Sequence, residues 1–126
     1  MKPICGVHHL SLKAAPGDYP STVAFYRNVL GLSVLRVQTG ATFLSCENVV
    51  LEILDSGDGG ERSGALDHLA FYTPDVDGMI AHVRQAGCEI TMEPTDHVFS
   101  GETPYAVHIA FFRGPAGESV ELFCEL

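Results

Sequence analysis

Basic side chains are scarce in this chain: seven lysines and arginines stand against sixteen aspartates and glutamates, a formal net charge of −9. Such an acidic excess repels nucleic-acid phosphates, and it equally disfavours a basic membrane-surface protein. No uninterrupted apolar run approaches the ~18 residues that a membrane span needs. The opening Met1-Lys2-Pro3-Ile4-Cys5-Gly6-Val7-His8-His9 has no apolar h-region, so no secretory signal is expected. The four cysteines (Cys5, Cys46, Cys88, Cys124) are scattered without a CxxC pair. That argues against a thiolate zinc site or a thioredoxin-like centre, and reduced, buried thiols in a cytoplasmic protein are the expectation. Also missing are a GxSxG elbow, a phosphate-binding loop, a GxGxxG after a strand and an HExxH helix, so serine-hydrolase, nucleotide and zincin readings have no support.

What remains is a 126-residue chain, 46% apolar and 18% charged, which predicts a packed core in one compact domain, or in two very small units that share it. Its clearest internal boundary is Gly57-Asp58-Gly59-Gly60-Glu61-Arg62-Ser63-Gly64, with four glycines in eight residues. This linker, 57–64, divides the chain into a first module, 4–56, and a second, 65–126, that are alike in outline. Each opens on a short alternating strand, Gly6–Leu12 and Leu66–Tyr72. A helical pattern follows, with Val23, Tyr26, Val29 and Leu30 before Gly31, and Val76, Met79, Ile80, Val83 and Ala86 before Gly87. Asp75 is placed as an N-cap and the two glycines as C′ residues. Gly78 weakens the second helix by roughly 1 kcal/mol against Ala. Three strands then complete each half, at 32–38, 41–46 and 49–55 and at 88–93, 105–112 and 118–125. The fold predicted is therefore α+β, two βαβββ modules, with 94–104 as a long polar loop of the kind that often contacts substrate.

Four polar side chains sit oddly in these strands. Glu52 is the only polar residue of 49–54, and Glu121 lies between Val120 and Leu122, although Glu is a poor strand former and costly to bury. His9 and His68 hold matching places in the two opening strands. Alternation puts Leu10, Leu51, Ile53, Leu69, Phe71, Val120 and Leu122 on one face, against the helices, and His9, Glu52, His68 and Glu121 on the other. Two imidazoles and two carboxylates suit a borderline divalent cation. Alternation alone equally fits two solvated glutamates and two ordinary histidines on the wet face of an antiparallel sheet. His8, His82, His97 and His108 read as non-functional, with His8 on the strand face opposite His9 and His82 on the wet side of its helix.

The same residues carry a family resemblance. His9-Leu10-Ser11-Leu12, Phe25-Tyr26-Arg27-Asn28-Val29-Leu30-Gly31-Leu32, Leu51-Glu52-Ile53, Asp67-His68-Leu69-Ala70-Phe71 and Gly114-Pro115-Ala116-Gly117-Glu118-Ser119-Val120-Glu121-Leu122 resemble the vicinal oxygen chelate superfamily. That group includes glyoxalase I, bleomycin- and fosfomycin-resistance proteins, methylmalonyl-CoA epimerases and extradiol dioxygenases. The resemblance covers essentially the whole chain. It departs from the usual aspartate-rich form at Gly114 and Ala116, which affects a turn and not a ligand.

The resemblance implies two modules curling into a cup-like mixed sheet, helices outside, around one metal held by His9, Glu52, His68 and Glu121. The ion implied is nickel, cobalt or zinc, with manganese or iron as further options. A Glu at 52 is similar to glyoxalase I, where a Gln would have resembled the epimerase. The activity implied is isomerisation of a 2-oxoaldehyde–thiol hemithioacetal to a 2-hydroxyacyl thioester through a metal-bound enediolate, with Glu121 as base and Glu52 as second acid/base. For a small-molecule substrate such as a glutathione adduct, Lys13 is the basic candidate, with Arg36 and Arg113 behind it, and Ser11 and Tyr72 are candidate lining. A homodimer is implied as well. The alternatives are a non-catalytic binding protein like those of bleomycin resistance, an epimerase, and a thiol transferase acting on an antibiotic.

Overall fold

A computed structural model of the chain describes residues 8–55 and 68–126. The chain divides into two compact units, Met1–Arg62 and Ser63–Leu126. The first contains β1 (His9–Ala14), α1 (Tyr19–Ala24), β2 (Ser33–Gln38), β3 (Ala41–Cys46) and β4 (Val49–Asp55). The second contains β5 (Leu69–Tyr72), α2 (Val76–Gln85), β6 (Glu89–Phe99), β7 (Tyr105–Arg113) and β8 (Ser119–Glu125). Each unit is thus β-α-β-β-β, an α+β arrangement with its own four-stranded mixed sheet, in the orders β1-β4-β3-β2 and β5-β8-β7-β6. In each, the first strand runs parallel to the last, and the other pairings are antiparallel.

Alternation sets the two faces of each sheet. Leu44, Leu51 and Ile53 of the first sheet and Ala110, Phe112, Val120 and Leu122 of the second are buried. The helices bring Phe25 and Tyr26, and Val76, Ile80 and Val83, into the same cores. Tyr19 and Thr42, whose hydroxyl oxygens lie 2.6 Å apart, join α1 to β3, so the buried Thr42 hydroxyl is satisfied. In α2 the Asp75 carboxylate accepts the Gly78 N–H at 2.9 Å, the N-cap expected from the sequence. Gly31 and Gly87 take positive φ of 79° and 98° where each helix ends, a conformation that only glycine adopts without strain.

Three expectations need correction. The first helical pattern, read as beginning near Val23, starts at Tyr19 with Pro20 in its first turn and runs on as a π-helical turn over Phe25–Val29. Residues 94–104 are not one long loop, because β6 continues to Phe99 and pairs with β7 from Thr95↔Ile109 to Phe99↔Tyr105. Pro94 falls within a register irregularity between Met92 and Thr95, where a missing N–H costs no ladder bond. His8 does not face away from His9: it precedes β1, so alternation does not govern it, and the two Nδ1 atoms lie 3.0 Å apart. The linker 57–64, Cys5 and the starts of the two opening strands (Gly6, Val7, Leu66, Asp67) lie outside the described residues.

Candidate functional site

In the first unit the parallel pairing of β1 with β4 sets His9 beside Val50 and Ser11 beside Glu52. His9 Nε2 lies 3.6 Å from Glu52 Oε1, and the same carboxylate oxygen accepts the Ser11 hydroxyl at 2.6 Å. Next along the row, Phe43 of β3 lies opposite Glu52, and its ring meets the His9 imidazole edge-on at a centroid separation of 6.0 Å. β1 alternates cleanly: His9, Ser11 and Lys13 are exposed, while Leu10, Leu12 and Ala14 turn inward.

The second unit repeats the arrangement. His68, immediately before β5, places Nε2 3.1 Å from Glu121 Oε1. Phe111 of β7 lies opposite Glu121 and meets the His68 ring edge-on at 5.4 Å. Glu121 is the more deeply set carboxylate, 6% exposed, and this burial raises its pKa above the ordinary carboxylate value, opposed in part by the nearby His68. Ala70 stands opposite Glu121 at the position that Ser11 holds opposite Glu52. Tyr72, two residues further along β5, is 74% exposed.

Each unit therefore brings one imidazole and one carboxylate together on one face, as strand alternation requires. Among the described residues no group of three or more His, Cys, Asp or Glu side chains forms a metal-sized cluster, so the donors are described as two pairs. Neutral imidazole nitrogen and carboxylate oxygen suit a borderline divalent ion. Donors at ~2.0–2.2 Å from such an ion, on neighbouring octahedral vertices, are about 3 Å apart. The separation in the second pair, 3.1 Å, is already of that size, while the first pair is wider, at 3.6 Å.

Of the other candidates, Lys13 shares the His9 face. Arg36 of β2 pairs with Phe43, which places it in the row of Glu52. Arg113 instead donates to the Gly117 carbonyl at 2.9 Å and so braces the β7–β8 turn. In that turn the Glu118 carboxylate accepts the Ala116 N–H at 2.9 Å. His82 and His97 are exposed. Burial raises the Cys46 and Cys88 thiols, which suits unreactive packing residues. Phe43 and Phe111 were not singled out in the sequence, since a phenylalanine in a strand is ordinary; their signal is the equivalent register position opposite each glutamate.

Comparison with known proteins follows the same line. A family model described as the Glyoxalase/Bleomycin resistance protein/Dioxygenase superfamily matches residues 6–122. A Vibrio cholerae protein named as a probable lactoylglutathione lyase is 28% identical over 122 residues, covering 84% of this chain and 82% of that one. A glyoxalase/bleomycin resistance protein/dioxygenase from Nocardioides has a similar structure, with a TM-score of 0.75 at 22% identity, over 100% of this chain and 87% of that one. A lactoylglutathione lyase from Agrobacterium tumefaciens is similar with a TM-score of 0.64 at 22% identity, over 96% and 94%. At these identities the two structures speak for the fold alone.

Proposed function

Because the chain belongs to the glyoxalase/bleomycin resistance protein/dioxygenase superfamily, we propose that it is a metal-dependent lyase or isomerase of the glyoxalase I type. The proposed reaction turns the hemithioacetal of a 2-oxoaldehyde and a thiol into the thioester of a 2-hydroxy acid. The observation that carries this reading is the duplicated His–Glu pair, His9 with Glu52 at 3.6 Å and His68 with Glu121 at 3.1 Å. The relative named as a probable lactoylglutathione lyase supports the same chemistry.

A divalent ion held by these four side chains supplies Lewis-acid stabilisation of the charge that develops on two neighbouring substrate oxygens. The chain's own residues do the rest. His9 and His68 act as neutral donors, and Glu52 completes the set. Glu121 takes the proton from the hemithioacetal carbon and returns it to the adjacent carbonyl carbon, while the hydroxyl proton passes to the former carbonyl oxygen. One C–H bond breaks and one forms, and no external oxidant or reductant is required. Burial on the sheet face raises the Glu121 carboxyl, which makes it a stronger base than a solvated carboxylate. Lys13, on the face of His9, is the proposed anchor for a carboxylate of a glutathione adduct, and Tyr72 a proposed contact of the same substrate.

The test is reconstitution of the metal-free protein with nickel, cobalt, zinc and manganese, each followed by an assay with methylglyoxal and glutathione. Turnover with at least one ion is expected. Metal uptake without turnover moves the assignment to an epimerase or thiol transferase of the same superfamily, and no uptake moves it to a non-catalytic binding protein. The active form proposed is a homodimer, which size-exclusion chromatography with light scattering checks.

A further inference from the structure

The two His–Glu–Phe sets match in register, yet one neighbour differs. Glu52 lies opposite Ser11 on the adjacent parallel strand, and the Ser11 hydroxyl donates to Glu52 Oε1 at 2.6 Å. Glu121 lies opposite Ala70, which carries no donor. The flanking rings, Phe43 and Phe111, are the same in both sets. The hydroxyl is thus present beside one carboxylate and absent beside its duplicate.

We propose that Ser11 is a positioning residue that fixes the Glu52 carboxylate toward His9 before a metal ion binds. This rests on the metal-dependent reading given above. A glutamate side chain has several rotatable bonds, and a donor must give up that freedom on binding an ion. Ser11 removes it beforehand, because the short Ser11 side chain is itself held by the β1–β4 ladder one strand away. The bond engages Oε1, the oxygen that also faces His9 Nε2, so it orients the whole pair. Ser11 acts through Glu52 and not by touching substrate.

The experiment measures cobalt(II) affinity by chelator competition, and the visible cobalt spectrum, for wild type, Ser11→Ala and Ser11→Thr, with far-UV circular dichroism to establish folding. Ser11→Ala is expected to bind cobalt about 10–100-fold more weakly, with an altered spectrum, as expected when a ligand's hydrogen-bond partner is lost. Ser11→Thr, which keeps the hydroxyl, is expected to restore both. Folded Ser11→Ala with wild-type affinity and spectrum overturns the role of Ser11. A wild type that takes up no cobalt overturns the proposed function, and this role with it.

Discussion

Glu121 shows at the scale of one residue how cost and chemistry are joined. A carboxylate set at 6% exposure loses most of its hydration, so burial raises its pKa above the model-peptide value despite the neighbouring His68. The sign of the stability effect follows. A group whose folded pKa is raised favours folding while protonated, and that contribution disappears as pH climbs through the raised value. Glu121→Gln removes the ionised form without changing shape. The metal-free variant is therefore expected to melt at a higher temperature than wild type at pH 7 and to show no advantage at pH 4, as read by thermal unfolding at the two pH values. The same variant is expected to retain metal and lose about 10²-fold or more in turnover, the usual scale for a general base. Unchanged turnover sinks the assignment of base. The carboxylate itself was visible in the sequence because Glu is out of place in an apolar strand. Its neighbour Phe111 was not, because apolar residues in strands carry no such signal.

Single elements show where local patterns stop being informative. The N-cap Asp75 and the terminal glycines were legible because each has a backbone reason tied to one residue type. The second half of β6 was not: Pro94, Thr95, Asp96 and His97 look like a loop by composition, and only the ladder with β7 makes them a strand. That ladder also carries His108, whose sequence context gave no hint of partners. Its Nδ1 meets Asp96 on β6 at 2.6 Å and its Nε2 meets Asp77 on α2 at 3.1 Å. Together with the Arg84–Glu93 ion pair, this ties α2 to β7 and to the edge strand β6. The hydrogen bonds to Asp77 and then Asp96 raise the His108 pKa above its ordinary value of 6.5. Its stabilising contribution is thus fully present below 6.5 and fades as pH rises through the raised value. Wild type is expected to exceed His108→Gln in melting temperature most at pH 6 and least at pH 9. Equal differences at both pH values refute the clamp. In α2, a Cβ at residue 78 would stand 2.1 Å from the capping carboxylate of Asp75. Gly78→Ala gains about 1 kcal/mol of helix propensity and forfeits up to about 1 kcal/mol of cap. Chemical denaturation is therefore expected to find it near neutral, whereas a full 1 kcal/mol gain means that the cap survives by rotating.

For the whole molecule the decisive property is duplication. Each unit repeats strand order, parallel closure and a His–Glu–Phe set, so the sequence repeat that suggested two modules also marked the two side chains that meet in each. Neither pair alone closes a coordination shell: a divalent ion of this class takes four or more donors, and each unit offers two. Two pairs per chain joining at one ion require about one ion per chain, whether the joined pairs come from one chain or from two. Independent binding by each pair requires two. Elemental analysis of the loaded, desalted protein is expected to return one equivalent of nickel or cobalt. On the proposed reading, in which the pairs are linked halves of one site, removing the first with His9→Ala and Glu52→Ala is expected to cost about 10²–10⁴-fold in metal affinity, the scale lost when bivalent attachment becomes monovalent. Two equivalents in wild type, falling to one in that double variant at unchanged affinity, means that the units bind separately and that no shared centre forms.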